Sequence, residues 1–151
     1  MKKIIYIAFA LLVATNCSAQ IESAAKSVFS LTTFKKDGTL LASTHGVFVG
    51  DKGEAISSWK PFVGADSAVV IDANGKQSVV SALIGANELY NVCKFKVDGN
   101  TQPASVATAA SKKGEKVWIL QYSVNKPLID QRNVQSVEPF MEKYAYYLFS
   151  S

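Results

Sequence analysis

The sequence predicts an all-β fold built on a closed antiparallel barrel. Three observations carry that prediction. Short runs rich in β-branched and aromatic residues follow one another along most of the chain. Turn signals such as Asp37-Gly38, Asp51-Lys52-Gly53 and Asn74-Gly75 separate them. Beyond residue 27 almost no stretch carries the 3.6-residue apolar period of a helix. With 151 residues, 48% of them hydrophobic, the chain has material for one soluble domain with a sizeable core.

The first nineteen residues stand apart. Lys2 and Lys3 precede the apolar run Ile4 to Val13, and small residues lead to Ser18-Ala19-Gln20, the layout of a secretory signal peptide cut after Ala19. Cys17 raises the alternative of a lipidated cysteine and a membrane anchor. Lipoprotein signals resemble Leu-Ala-Gly-Cys, however, and Asn16 puts a polar amide where a small residue is expected, so simple cleavage and a periplasmic or extracellular product are preferred. Removing the leader leaves Cys93 as the single cysteine, so no internal disulfide can form. Loss of Lys2 and Lys3 also lowers the net charge of +4 by two, and the remaining lysines are scattered. Such a surface offers no phosphate-tracking stripe, which excludes nucleic acid as a partner. No later apolar run is long enough for a membrane-spanning helix.

From residue 20 the elements follow in order. Ile21 to Lys26 supplies one or two helical turns, and Ser27 to Phe34 is the first strand. The Asp37-Gly38 pair predicts a tight hairpin turn with positive φ values, returning through Leu40 to Val49. Glu54 to Ser58 follows a second turn and stops at Trp59-Lys60-Pro61-Phe62, because Pro61 cannot donate to a ladder. Ser67 to Asp72 and Ser78 to Ile84 form a hairpin about Asn74-Gly75, and Tyr90 to Val97 is the sixth strand. Six strands close one small barrel, so residues 20–98 form a first domain. Residues 99–111 contain the Ala/Ser/Thr-rich stretch Gln102 to Ser111 and are expected to act as a linker. Residues 112–151 hold only about three strands, Lys116 to Tyr122, Val134 to Val137 and Tyr144 to Phe149, a partial second barrel.

Two successive patterns resemble one family. Thr44-His45-Gly46-Val47-Phe48-Val49, then Gly53-Glu54-Ala55-Ile56-Ser57-Ser58-Trp59-Lys60-Pro61-Phe62-Val63-Gly64-Ala65, are similar to the trypsin-like peptidases of the high-temperature-requirement type. Those carry Gly-Ser-Gly-Phe followed by Gly-Tyr-Ile-Leu-Thr-Asn-x-His-Val-x-x-Gly-Ala. The resemblance continues through Ala68 to Gly75, through Tyr90 to Val97, which looks like Asp-Leu-Ala-x-Leu-Lys-Val, and through Lys113-Gly114-Glu115-Lys116-Val117. It implies a trypsin-like pair of antiparallel β-barrels, the first complete and the second partial. It also places Lys60 at the position of the catalytic histidine and Asn91 at that of the catalytic aspartate, while the Gly-Asn-Ser-Gly-Gly segment of the nucleophile has no counterpart.

A triad needs an imidazole to take the serine proton, a carboxylate to fix its tautomer, and amide donors for the oxyanion. A lysine ammonium donates and does not accept, and a carboxamide carries no charge to stabilise an imidazolium. Lysine serves as the base in some other peptidases, but a solvated lysine in an inactive cleft is the preferred reading of Lys60. A thiol nucleophile, Cys93 served by His45, is a second enzyme hypothesis. Strand alternation opposes it, because Asn91, Cys93, Phe95 and Val97 share one face and the thiol points to the core. His45 belongs to a strand edge as a surface or half-buried residue. One histidine and one buried cysteine cannot make a metal site, and no Gly-rich phosphate loop opens a helix, so neither metal nor cofactor is expected.

The sequence thus points to an exported, catalytically inactive relative of a serine peptidase that retains contact with an extended peptide or protein. The rival readings are the front part of a longer serine endopeptidase whose nucleophile lies beyond Ser151, and a structural envelope-interaction domain. Tyr144, Tyr146, Tyr147 and Phe149 could form a peptide-stacking surface, though alternating strand aromatics more often pack in a core. The strand they form has an unpaired edge that invites self-association.

Overall fold

The computed structural model describes residues 19–123, 126–140 and 144–150. The expected leader, with Cys17, therefore lies outside the described residues, except that residue 19 opens a helical segment over 19–25. No helix among the described residues is long and apolar enough to cross a membrane.

Strand β1 (Val28–Phe34) shows how the barrel wall is built. Phe29, Leu31 and Thr33 are fully buried, while Ser30, Thr32 and Phe34 between them are only partly covered. One face of the strand thus carries the core and the other the outside. β1 pairs antiparallel with β2 (Leu40–Phe48) on one side and with β4 (Ser67–Ile71) on the other. β2 continues to β3 (Glu54–Ser57), and β4 to β5 (Gln77–Asn87). β6 (Val92–Val97) joins β3 to β5, which closes a ring in the order β1-β2-β3-β6-β5-β4. The interior is filled by Phe29, Leu31, Phe48, Ala55, Ala68, Val70, Cys93, Phe95 and Val97. Phe29 lies 4.6 Å from the Phe48 ring and 6.0 Å from Phe95, the latter edge-on. Such contacts add to the roughly 2–3 kcal/mol gained by burying each large side chain.

The two Gly-containing hairpins correct the expected turn chemistry. Gly38 and Gly75 have φ values of 81° and 80°, but Asp37 and Asn74 keep negative φ. In each loop the glycine N–H donates to the carbonyl three residues back, Lys35 or Asp72, and the residue at that position donates in turn to Thr39 or Lys76. Each loop is a longer turn that ends in a left-handed glycine rather than a two-residue hairpin with two positive φ values.

Beyond the barrel, β7 (Lys116–Ser123), β8 (Lys126–Phe140) and β9 (Tyr144–Phe149) form a three-stranded antiparallel meander, with β7 packed beside β1. β8 is far longer than the expected Val134 to Val137. Its Asp130-Gln131-Arg132-Asn133 stretch has the composition of a loop, yet it lies opposite Ile119, Trp118, Val117 and Lys116 of β7. Pairing with an apolar neighbour overrides its weak strand propensity.

The stretch expected as a linker is partly built into the first barrel. Thr101 N–H donates to the Asp51 carbonyl (3.0 Å), its hydroxyl donates to Gly50 (2.7 Å) and accepts from Gly53 N–H (3.1 Å), and Ala104 N–H donates to Phe48 (2.8 Å).

Candidate functional site

The place to examine is the end of β3, where Pro61 forces the chain out of the ladder. Lys60–Phe62 makes one turn of 3-10 helix with Pro61 inside its first turn. Two aromatic contacts hold this turn on the barrel. Trp59 stacks on Phe62, ring centroids 6.4 Å apart, and Phe62 meets the core ring of Phe95 at 5.3 Å. Lys60 itself is exposed.

Asn91 precedes β6 and has φ of 50°, in the left-handed region where Asn is the best-tolerated residue after Gly. Its side-chain Oδ1 accepts the backbone N–H of Lys60 at 2.8 Å, its carbonyl accepts that of Trp59 at 3.3 Å, and its own N–H donates to Glu88 at 3.1 Å. The structure therefore brings the two residues singled out from the sequence together, although 31 positions separate them. What it joins is the amide of Asn91 to the main chain of Lys60, an arrangement that positions the Lys60 turn and transfers no proton.

Cys93 and His45 are not brought together. Cys93 is 2% exposed among the core residues, and its thiol lies 3.5 Å from the Ser58 carbonyl and 3.6 Å from that of Ser57. Burial raises its pKa, an effect that the hydrogen bond to Ser57 only partly offsets. His45 is exposed opposite Ser30, while its neighbour Gly46 lies opposite the buried Phe29. Thiol and imidazole thus sit on opposite faces of the barrel wall. The His45 carbonyl accepts the buried Ser57 hydroxyl at 2.6 Å. Among the described residues no group of three or more His, Cys, Asp or Glu side chains is placed to hold a metal.

The β7-β8-β9 sheet offers a second kind of site. Its register puts Val117, Ile119, Leu128, Val134, Val137, Tyr147 and Phe149 on one face. Val134 on this face is buried, but Leu128, Val137, Tyr147 and Phe149 are 36–48% exposed, so much of the face is open, as is the opposite face at Ile129 and Leu148. Ile119 and Leu128 line a hollow of about 440 Å³ on it. Among the described residues β7 and β9 pair only with β8, so each has a free edge. The side chains of Tyr144 and Tyr146, part of the expected aromatic surface, lie outside the described ones.

No family model matches the sequence, and no curated protein does. Solved structures do. The serine endoprotease from Yersinia pestis superposes with a TM-score of 0.68 at 19% identity, over 78% of this chain and 43% of that one. The HtrA-type protease AlgW, solved with a tripeptide, superposes with a TM-score of 0.71 at 15% identity, over 85% of this chain and 44% of that one. The chain thus spans less than half the length of either. With its closed six-stranded barrel and the three-stranded part of a second, the chain has the trypsin-like fold of the HtrA-type serine proteases.

Proposed function

We propose that this chain is an exported, catalytically silent trypsin-like module that works by binding an extended segment of another polypeptide. The observation that carries the reading is the Asn91–Lys60 contact. The resemblance assigns these two adjacent residues to the positions of base and aspartate, and a lysine and a carboxamide there supply neither the imidazole nor the carboxylate that proton abstraction from serine needs. Binding needs no such chemistry. An extended peptide adds to a free strand edge through main-chain hydrogen bonds, with alternate side chains seated on the adjoining face. Among the described residues β7 and β9 supply free edges, and Tyr147 and Phe149 an apolar face beside one of them. The signal-peptide layout of residues 1–19 supports export to the periplasm or beyond.

The test is to incubate the exported chain with casein and with a fluorophosphonate probe, and to screen it against a library of extended peptides. Neither cleavage nor serine labelling is expected, together with saturable binding of some peptides. Labelling of any serine above background refutes the silent reading, and a chain that stays monomeric and binds no extended segment refutes the binding role. A second reading is favoured by the coverage of under half of the similar proteases: the chain forms the front of a longer peptidase. Coding sequence beyond Ser151 with a Gly-Asn-Ser-Gly-like segment would support it. Intact mass of the exported chain checks the leader, with Gln20 expected at the N-terminus and a diacylglyceryl group on Cys17 refuting simple cleavage.

A further inference from the structure

The closed barrel is itself two copies of one unit. β1-β2-β3 and β4-β5-β6 are three-stranded antiparallel meanders, and the first hairpin of each turns through the same hydrogen-bonded loop ending in a left-handed glycine. They join by pairing first strand with first, β1 with β4, and third with third, β3 with β6, both antiparallel. β7-β8-β9 is a third meander of the same connectivity, and among the described residues its first and third strands have no such mates.

Resting on the reading of these edges as binding edges, we propose that the segment which completes them is the same meander of a second copy of this chain, the two closing one six-stranded barrel about a twofold axis. A twofold axis across the strands makes the β7 pair and the β9 pair antiparallel, as the β1·β4 and β3·β6 seams are. Those seams use five and four residue pairs. β7 and β9, with eight and six residues, are long enough to match them. Closure covers the face that carries Leu128, Val137, Tyr147 and Phe149, which an isolated sheet leaves in water. The charges on that face, Asp130 and Arg132, already pair at 2.6 Å, so covering them buries no net charge but does cost the desolvation of one ion pair, which the covered apolar side chains must offset. All four edges are consumed, and assembly stops at two copies.

Sedimentation of the exported chain, residues 20–151, tests this. A discrete dimer is expected, converted to monomer by Val137→Lys or Phe149→Lys and left intact by Leu83→Lys on exposed β5, with amide protection of β1–β6 unchanged throughout. Because a lysine on the open face can unfold the sheet, a spin label at Gln131→Cys provides a second readout, the buried Cys93 staying unlabelled. One narrow distance between copies is expected, and its absence overturns the proposal. A ladder of larger species overturns closure, and a monomer with protected Tyr144–Phe149 amides shows that the sheet has closed on its own chain. A monomer that binds extended peptides refutes the second copy while retaining the binding role. A monomer that binds none refutes both.

Discussion

Asn91, which the resemblance aligns with a catalytic aspartate, makes its observed contacts to backbone. Replacing it with Ala removes the acceptor for the Lys60 N–H and places a Cβ residue without a compensating side chain at φ of 50°. The expected cost is about 1–2 kcal/mol in chemical denaturation. Asn91→Asp keeps both the acceptor and the tolerance of that φ, so its stability should stay within about 0.5 kcal/mol. Combined with Lys60→His, it supplies the base and carboxylate of the resemblance, yet casein hydrolysis by residues 20–151 should remain at background, because those residues carry no Gly-Asn-Ser-Gly segment to provide a nucleophile. Cys93 behaves in the opposite manner, as a purely structural residue. Its thiol pKa is raised on folding by burial, so the folded state keeps a proton that the unfolded state gives up. The stability it contributes is complete below the ordinary thiol range and is lost as pH rises above it. Equilibrium unfolding at stepwise higher pH should show that loss, and Cys93→Ala should remove this part of the pH dependence. A thiol reagent should label native protein only as fast as it unfolds.

At the level of elements, the tightest junction is between the β2–β3 turn and β6. Gly53 has φ of 92°, donates to the Thr101 hydroxyl, and accepts the Val97 N–H at 3.0 Å. A Cβ added there would run into the Val97 carbonyl. Gly53→Ala should therefore cost about 2–3 kcal/mol, through left-handed strain together with displacement of β6, while Gly38→Ala meets no neighbour and should cost only the φ term of about 1–2 kcal/mol. Thermal unfolding of the two variants separates these terms. The same contrast shows what the sequence could and could not disclose. Strand positions in the first barrel were legible because alternation such as Cys93, Phe95 and Val97 follows directly from having one wet and one dry face. The turn at Asp37-Gly38 was legible as a turn but not in type, since residue identity does not reveal that only the glycine adopts positive φ. β8 was largely illegible, as Asp130 to Asn133 depends on its partner strand rather than its own propensity. Lys60 and Asn91 were found through a resemblance, whereas the hydrogen bond between them appears only when the ring of strands closes.

At the scale of the whole molecule, the question is where the first folding unit ends. Composition places the boundary at residue 98, where the Ala/Ser/Thr-rich stretch approaches, but the hydrogen bonds place it later. Thr101 ties together Gly50, Asp51 and Gly53, the turn on which β3 and β6 both depend, and Ala104 extends the seam to Phe48 at the end of β2. The core cluster lies wholly within the barrel, whereas Val134 is the one large buried hydrophobic residue of the second sheet among those described. Two units of unequal stability are expected from that distribution, since local opening follows local burial. A chain ending after Ser111 should therefore unfold in one cooperative transition and keep the amide protection of β1–β6. A chain ending after Asp98 loses every contact of Thr101 and Ala104, leaving the Gly53 N–H without its acceptor beside the strained turn. At a net of about 1 kcal/mol per hydrogen bond, the shorter chain should be less stable by several kcal/mol, a large part of what a small domain has. Urea denaturation of the two truncated proteins checks this directly. Equal midpoints would mean that the seam through Thr101 contributes nothing and that the unit ends at residue 98 after all.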